Sequence, residues 1–306
     1  MVKGCLSMRV LRTPNSRFEG LPDYEFAPHY VAVDRGDGVA LRMHYLDEGP
    51  RRAPAILLLH GEPSWSYLYR HMIPVLVDAG LRAVALDLVG FGRSDKPAMR
   101  SDYTYLAHVN WVKEALDTIG LDEITLVGQD WGGLIGLRIV GEEPERFSRV
   151  VAANTFLPTG EQRGKAFLAW QRYSQETPSF DAGRIVNGGC TTNLTPDVIA
   201  AYDAPFPGDS FKAGARQFPM LVPTSPDDPA APANLAAMAA LGRFTRPFLC
   251  AFSDQDPITR GADAVLREHI PGAKNIAPVT ISGAGHFLQE DRGPQLAQVI
   301  AEFVHD

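Results

Sequence analysis

The stretch that most limits what this chain can become is Ile124-Thr125-Leu126-Val127-Gly128-Gln129-Asp130-Trp131-Gly132-Gly133-Leu134-Ile135-Gly136. A partly β-branched apolar run enters a glycine-flanked turn and leaves on a small-residue helix pattern. That is a strand–turn–helix bend of the kind that lifts one side chain clear of a parallel sheet. Gly128 and Gly132 remove side chains that would crowd the bend, and Gly136, one turn on, permits close helix–sheet contact. Many hydrolases carry serine at such a bend; here it is Asp130, and the chain holds no G-x-S-x-G. At a helix start the carboxylate feels the positive end of the helix dipole, which keeps it ionised. Such a group attacks carbon directly and becomes an ester itself. A plain helix N-cap would need neither the flanking glycines nor the strand before it.

Around this bend, short apolar runs alternate with helical patterns. Residues 30–34 and 39–46 alternate like a half-exposed antiparallel pair around the turn Arg35-Gly36-Asp37-Gly38. Residues 55–59, 83–86, 124–127 and 150–153 read as strands buried in a parallel sheet, and 248–252 and 277–281 supply two more. Helix patterns lie between them, as at 110–119. At the C-terminus Leu296, Val299, Ile300, Phe303 and Val304 share one helical face. The alternation predicts an α/β sheet covered on both sides. From about Leu157 to Leu241 the β pattern stops. Eight prolines fall between Pro196 and Pro232, Thr195-Pro196-Asp197 is a helix start, and 223–232 reads as an irregular surface loop. The expected division is a core of residues 1–156 and 243–306, with an inserted helical cap of 157–242.

A chain of 306 residues is large enough for a sizeable core with an insertion. A formal charge of -7 and a pI near 5.6 argue against nucleic acid or an anionic membrane as partner. No apolar run approaches the roughly 18 residues of a membrane span. Charged residues at Arg9 and Arg12 leave no signal-peptide core, and Met8 is a second candidate start, with 1–7 as a leader. Cys5, Cys190 and Cys250 show neither metal nor disulfide spacing, so a reducing cytoplasm is expected, with Cys250 a small buried hydrophobe.

Four further places carry candidate chemistry. His286 sits in Ser282-Gly283-Ala284-Gly285-His286-Phe287, after the last strand, where the chain order nucleophile, acid, histidine puts a general base. The acid that orients it is expected in Ser253-Asp254-Gln255-Asp256-Pro257. Asp256, further past the strand, is preferred, with Asp254 as a turn residue; Asn154, at the alternative position after 150–153, cannot hold a charge. His60-Gly61-Glu62-Pro63 follows the strand 55–59 where backbone amides build an oxyanion hole, the expected donors being Glu62 and Trp131. The Glu62 side chain is open to a local ion pair, a held water or a structural role. Trp131 bears on the substrate. An indole N–H only donates, so it suits an anion, and a halide leaving group is large, polarisable and weakly hydrated. Trp170 in the cap is the candidate second donor, whereas Trp65, on a helix after the His-Gly-Glu-Pro turn, and Trp111 read as packing residues.

At this point the chain resembles the haloalkane dehalogenases of the α/β-hydrolase superfamily. The resemblance runs from near Leu11 to the C-terminus and is carried by His60-Gly61-Glu62-Pro63-Ser64-Trp65-Ser66-Tyr67-Leu68-Tyr69-Arg70, Asp87-Leu88-Val89-Gly90-Phe91-Gly92-Arg93-Ser94-Asp95-Lys96-Pro97, Gln129-Asp130-Trp131-Gly132-Gly133 and Gly285-His286-Phe287. It implies a mostly parallel eight-stranded sheet flanked by helices with a helical cap inserted. The chain looks most like the subgroup whose second halide donor is a cap tryptophan, here Trp170. Another subgroup carries a halide-holding asparagine at the place of Glu62, a task an anionic Glu62 could not perform. The resemblance implies hydrolysis of a small halogenated alkane to alcohol, halide ion and proton through an ester on Asp130, with His286 and Asp256 activating water. It implies no cofactor and no metal; the expected assembly is a monomer or homodimer.

Three rivals are weighed against this. An epoxide hydrolase would share Asp130, Asp256 and His286 but needs cap tyrosines, for which Tyr173 and Tyr202 are the candidates. A fluoroacetate-type enzyme would need cations for its substrate's carboxylate, with Arg163 and Arg172 available. A silent ligand-binding relative would have no use for a complete acid–base set.

Overall fold

The run Ala55–Leu59 is apolar throughout because it lies at the centre of a sheet with both faces covered. The computed structural model describes residues 9–35 and 38–306. Cys5, Met8 and the Gly36-Asp37 step of the expected turn lie outside the described residues. In chain order the main sheet comprises β1 (His29–Asp34), β2 (Ala40–Glu48), β3 (Ala55–Leu59), β4 (Arg82–Leu86), β5 (Ile124–Gln129), β6 (Phe147–Ala153), β7 (Phe248–Ser253) and β8 (Val279–Ile281). Their spatial order is β8-β7-β6-β5-β3-β4-β2-β1. Only β2 runs against its neighbours β1 and β4; the other pairings are parallel. β1 alternates between buried Val31 and Val33 and exposed Ala32 and Asp34, as a half-covered edge strand requires.

The eight expected strands are all present, longer by a residue or more in most cases and shorter only at β8. The helix expected at 110–119 begins earlier, spanning Tyr105–Ile119, with Thr104 Oγ1 accepting from the Ala107 amide and Gly120 at φ 72° closing it. Trp65 differs from expectation. It is extended (φ -157°, ψ -175°) and precedes a short 3-10 turn, Ser66–Tyr69, rather than lying on a helix. A second small pairing, Val10–Leu11 with Lys96–Pro97, ties the N-terminal strand to the loop after β4.

Between β6 and β7 the chain makes no strand. Its helices are Lys165–Glu176, Ala182–Gly189, Pro196–Asp203, Ala213–Gln217 and Ala231–Leu241. The last of these lies on the core helix Trp131–Glu142, where a Cβ on Gly141 would stand 2.7 Å from Ala237 Cα. Arg138 there donates to Asn234 Oδ1 at 2.9 Å. Pro232 therefore occupies a first helical turn, where its missing N–H costs nothing, instead of the expected loop.

The C-terminal helix Leu288–His305 buries Leu296, Ile300 and Val304, with Val299 and Phe303 partly buried beside them. It kinks at Arg292 (φ -144°, ψ 35°), two residues before Pro294. Its first turn is thereby set apart and lies directly after the His286 loop. The loops that leave the carboxyl ends of β3, β5, β6, β7 and β8 converge on one edge of the sheet, the usual place for a site in such an architecture.

Candidate active site

Asp130 occupies the bend between β5 and the helix Trp131–Glu142 with φ 50° and ψ -125°. That is a costly backbone conformation for a residue with a Cβ, of order 1–3 kcal/mol, and it persists only where surroundings over-determine it. Here they do. The Asp130 amide donates to Asn154 O at 3.1 Å, and Asp130 O accepts from the amides of Gly133 and Leu134 and from Thr155 Oγ1. The helix also presses against β3 so closely that a Cβ on Gly132 would lie 1.8 Å from Leu59 O. On the other side a Cβ on Gly61 would lie 2.3 Å from Asp130 Oδ1. Gly61 therefore makes room for the carboxylate itself, and Gly132 for the close approach of its helix to β3.

The carboxylate is held at both oxygens. The Glu62 amide donates to Oδ1 at 2.8 Å, and His286 Nε2 stands 3.4 Å from Oδ2. Across the imidazole, Nδ1 is 3.1 Å from Asp256 Oδ2. Asp256 is buried, accepts from the amides of Ile258 and Thr259, and is bonded by the Thr259 hydroxyl. Asp254 instead accepts from the Gly283 amide at 2.9 Å in an exposed turn. The two aspartates of the loop thus separate, one to the ring and one to the turn. Asn154 (φ 41°) reaches His286 through the backbone, donating to its carbonyl at 3.0 Å.

Electrostatics follow from this line of groups. Burial lowers the His286 imidazole, but the charge of Asp256 and the hydrogen bonds to Asp130 and Asp256 outweigh it and raise it to about 10. Burial raises Asp256, and the histidine's charge and hydrogen bond, with those of Thr259 and Ile258, pull it down to about 2. Glu62 stands differently. Burial and the neighbouring Asp130 charge push its carboxyl well above the usual range, and its Oε1 is buried without a hydrogen-bond partner. No salt bridge reaches it among the described residues, so the ion-pair option fails.

A cavity of about 700 Å³ opens on these residues, lined by Asp130, His286 and Glu62 and otherwise mainly by apolar groups, Leu134, Phe167 and Ile185 among them. Trp131 and Trp170 both line it. The four tryptophans divide cleanly. Trp65 Nε1 donates to Ala201 O at 3.3 Å and Trp111 Nε1 to Asp34 O at 2.9 Å. The indole N–H groups of Trp131 and Trp170 have no protein hydrogen-bond partner among the described residues. Trp131 is wedged between Tyr105 and Phe218 (ring centroids 5.1 and 4.6 Å), and Trp170 lies beside Phe180.

Of the groups offered for rival chemistries, only Tyr173 reaches the cavity. Tyr202 is fully buried and its hydroxyl donates to Glu290 at 2.5 Å, away from the cavity; Tyr173 lines the cavity but is 49% exposed. Arg163 pairs with Glu161, and neither Arg163 nor Arg172 lines the cavity. Sequence reasoning assigned no role to three groups that the structure brings in. Gln129 Nε2 donates to the His286 carbonyl at 3.1 Å and lies 3.3 Å from its Nε2. Cys190 lines the cavity, and Thr259 braces Asp256. A polar residue closing an otherwise apolar buried strand was the available signal for Gln129.

Sheet order, the bend and its histidine define an α/β-hydrolase, and a family model described as alpha/beta hydrolase fold matches residues 54–293. Similarity narrows this further. The chain is 57% identical over 300 residues to a haloalkane dehalogenase of Psychrobacter cryohalolentis, covering 98% of this chain and 99% of that one. It is 55% identical over 294 residues to one of Mycolicibacterium paratuberculosis, covering 96% and 97%. A solved haloalkane dehalogenase from Paraglaciecola agarilytica, a tetramer, superposes with a TM-score of 0.89 at 38% identity over 95% of this chain and 97% of that one. The chain belongs to the haloalkane dehalogenase family.

Proposed function

We propose that this enzyme hydrolyses a small halogenated alkane to a primary alcohol, a halide ion and a proton, with Asp130, His286 and Asp256 as its catalytic set. Asp130 Oδ1 accepts from the Glu62 amide at 2.8 Å, and Oδ2, which meets only the longer 3.4 Å approach of His286 Nε2, is the attacking atom. Oδ2 forms a bond to the saturated carbon as the carbon–halogen bond breaks and the electron pair leaves with the halide. No base is needed in this step. The N–H groups of Trp131 and Trp170 stabilise the departing halide as its charge develops.

The product of that step is an alkyl ester on Asp130. Its formation removes one of the two negative charges that hold the imidazole protonated, so the pKa of His286 falls, the ring releases its proton to solvent as the proton product, and the neutral ring can then act as a base. A water attacks the ester carbonyl carbon and gives its proton to Nε2, while Asp256 stabilises the imidazolium. The oxyanion develops on Oδ1, where the Glu62 amide already points and the Trp131 amide opens the helix. The tetrahedral centre collapses, the bond from Cγ to the alkyl oxygen breaks, and that oxygen takes the proton of the added hydroxyl, so the alcohol leaves and Asp130 is restored as a carboxylate. Residues 157–242 act as a cap that closes the cavity over this chemistry, with residues 1–156 and 243–306 as the core. Among the described residues no helix is long and apolar enough to cross a membrane. We place the enzyme in the cytoplasm, as a monomer or homodimer.

One observation carries the reading: an aspartate at a strained bend, in line with a His–Asp pair, faces a cavity lined by two tryptophans whose N–H groups have no hydrogen-bond partner among the described residues. The test is halide release from a short bromoalkane, with an epoxide run in parallel. Halide release that disappears in Asp130→Asn supports it. Turnover surviving in that variant, or opening of the epoxide alone, overturns it.

A further inference from the structure

The cap and the His286 loop meet through backbone. The Gly189 carbonyl, at the end of the helix Ala182–Gly189, accepts from the His286 amide at 2.7 Å. A Cβ on Gly285 would lie 2.3 Å from that same carbonyl, and a Cβ on Gly189 2.7 Å from the Phe287 ring. Glycine on both sides is what lets the two segments approach.

One side chain bridges the seam. Asp291, in the first turn of the C-terminal helix, accepts from the Gly285 amide at 2.8 Å on the histidine side. On the cap side it accepts from the Thr191 amide at 2.9 Å, the Thr192 amide at 2.9 Å and the Thr192 hydroxyl at 2.6 Å. Thr191 Oγ1 adds a bond to Gly283 O at 2.7 Å. Asp291 is buried, and four donors converge on two oxygens that can only accept when ionised. Burial raises this carboxyl, but the bonds from Gly285, Thr192 and Thr191 outweigh it and hold it below its ordinary range. An amide of the same shape would turn an NH₂ toward donors. The Arg292 kink separates the turn that carries Asp291 from the rest of its helix, so the carboxylate is fixed mainly by the two segments it joins.

We propose that Asp291 is a positioning residue for the second half of the reaction: it locks cap residues 189–192 to the loop 283–287 so that His286 is held in register for ester hydrolysis. The proposal rests on the two-step reading above. The first step makes no use of His286 as a base, so it should be nearly indifferent to Asp291, whereas the second should depend on it. A group that merely stabilised the fold would not divide the two steps.

The experiment compares wild type, Asp291→Asn and Thr192→Val, with bromoalkane as substrate. Rapid-quench halide release reads the first step, intact mass of the Asp130 adduct reads the second, and hydrogen exchange reads the seam. In Asp291→Asn we expect the halide burst to stay within about threefold of wild type and adduct decay to slow by about tenfold or more, as for small misplacements of a reacting group. Amides in 189–192 and 283–287 should exchange faster together while β3 and β5 stay unchanged. Thr192→Val removes one donor of four and should move the same readouts in the same direction by less, which covers the case in which Asp291→Asn folds poorly. Equal losses in both steps, or unchanged adduct decay, would overturn the proposal. Unchanged exchange at the seam would overturn it irrespective of activity. Absence of any adduct in wild type and in His286→Ala would instead count against the two-step reading.

Discussion

Two aspartate–histidine pairs lie in this sheet, and they have opposite characters. After β4, Asp87 accepts from His44 Nδ1 at 2.7 Å, with both side chains fully buried. Its remaining capacity is filled by the amides of Ser66 and Arg93, each at 2.8 Å. Burial lowers the His44 imidazole, outweighing the Asp87 charge. At the ends of β5 and β7, His286 stands between two carboxylates and is raised to about 10 instead. The first pair is sealed from solvent, with its carboxylate fully hydrogen-bonded though His44 Nε2 has no partner among the described residues, and it ties β2 to the loops after β3 and β4. The second opens on a cavity. Residue types do not distinguish them. Access to the cavity does.

The largest expected effect breaks the comparison at the nucleophiles. Asp130→Asn should lose activity by about 10⁴-fold or more while keeping its fold. Asp87→Ala should instead cost stability, about 3–5 kcal/mol, because it strands buried donors, with activity retained in the folded fraction. Paired activity assays and urea unfolding test this. If the two variants behaved alike, the distinction between the pairs would fail.

The tryptophans sharpen the same contrast at smaller scale. Trp131→Phe removes a donor from the cavity and should lower kcat/KM by about 10²-fold. Trp65→Phe removes a bond to Ala201 O and should cost about 1–3 kcal/mol of stability with kcat/KM little changed. Steady-state kinetics with a bromoalkane and thermal melts separate the two outcomes.

The smallest effects are in pH dependence. A folded-state pKa above the ordinary 6.5 means that His286 contributes stability fully present below 6.5 and lost as pH rises through about 10. Asp256, held at about 2 against an ordinary 3.8, contributes stability present above 3.8 and lost as pH falls through about 2. Both describe one attraction, strongest between these limits, so it counts once. His286→Gln should flatten the alkaline limb of Tm against pH. Decay of the Asp130 adduct should speed up with pH through an apparent pKa below that of the free enzyme, because the ester carries no charge. Single-turnover decay across pH checks this; a midpoint at or above 10 would contradict it.

Much of this architecture could be read along the chain. The buried strands announce themselves because a strand covered on both faces must be apolar at every position, as at β3 and β5. The Asp130 bend is equally local, since glycines and a strand-to-helix switch sit within a dozen residues. The register of His286 after the last strand follows from chain order. Trp65 reads as lying on a helix after the His-Gly-Glu-Pro turn; the backbone stays extended there and the indole reaches Ala201 in the helix Pro196–Asp203, a contact that no local pattern encodes.

What the sequence by itself determined was the sheet, the bend and the set of residue types available at its edge, because each depends on near neighbours and on which positions must avoid water. The tertiary structure decided which of Asp254 and Asp256 meets the imidazole and which two of four indoles keep their N–H groups unspent. It also decided that Asp291 joins the cap to the histidine loop. Those outcomes turn on distances of about 3 Å between residues as much as 136 positions apart in the chain. Hydrogen bonds fall off within a fraction of an ångström, so only the folded backbone can say which of several chemically equivalent partners is used.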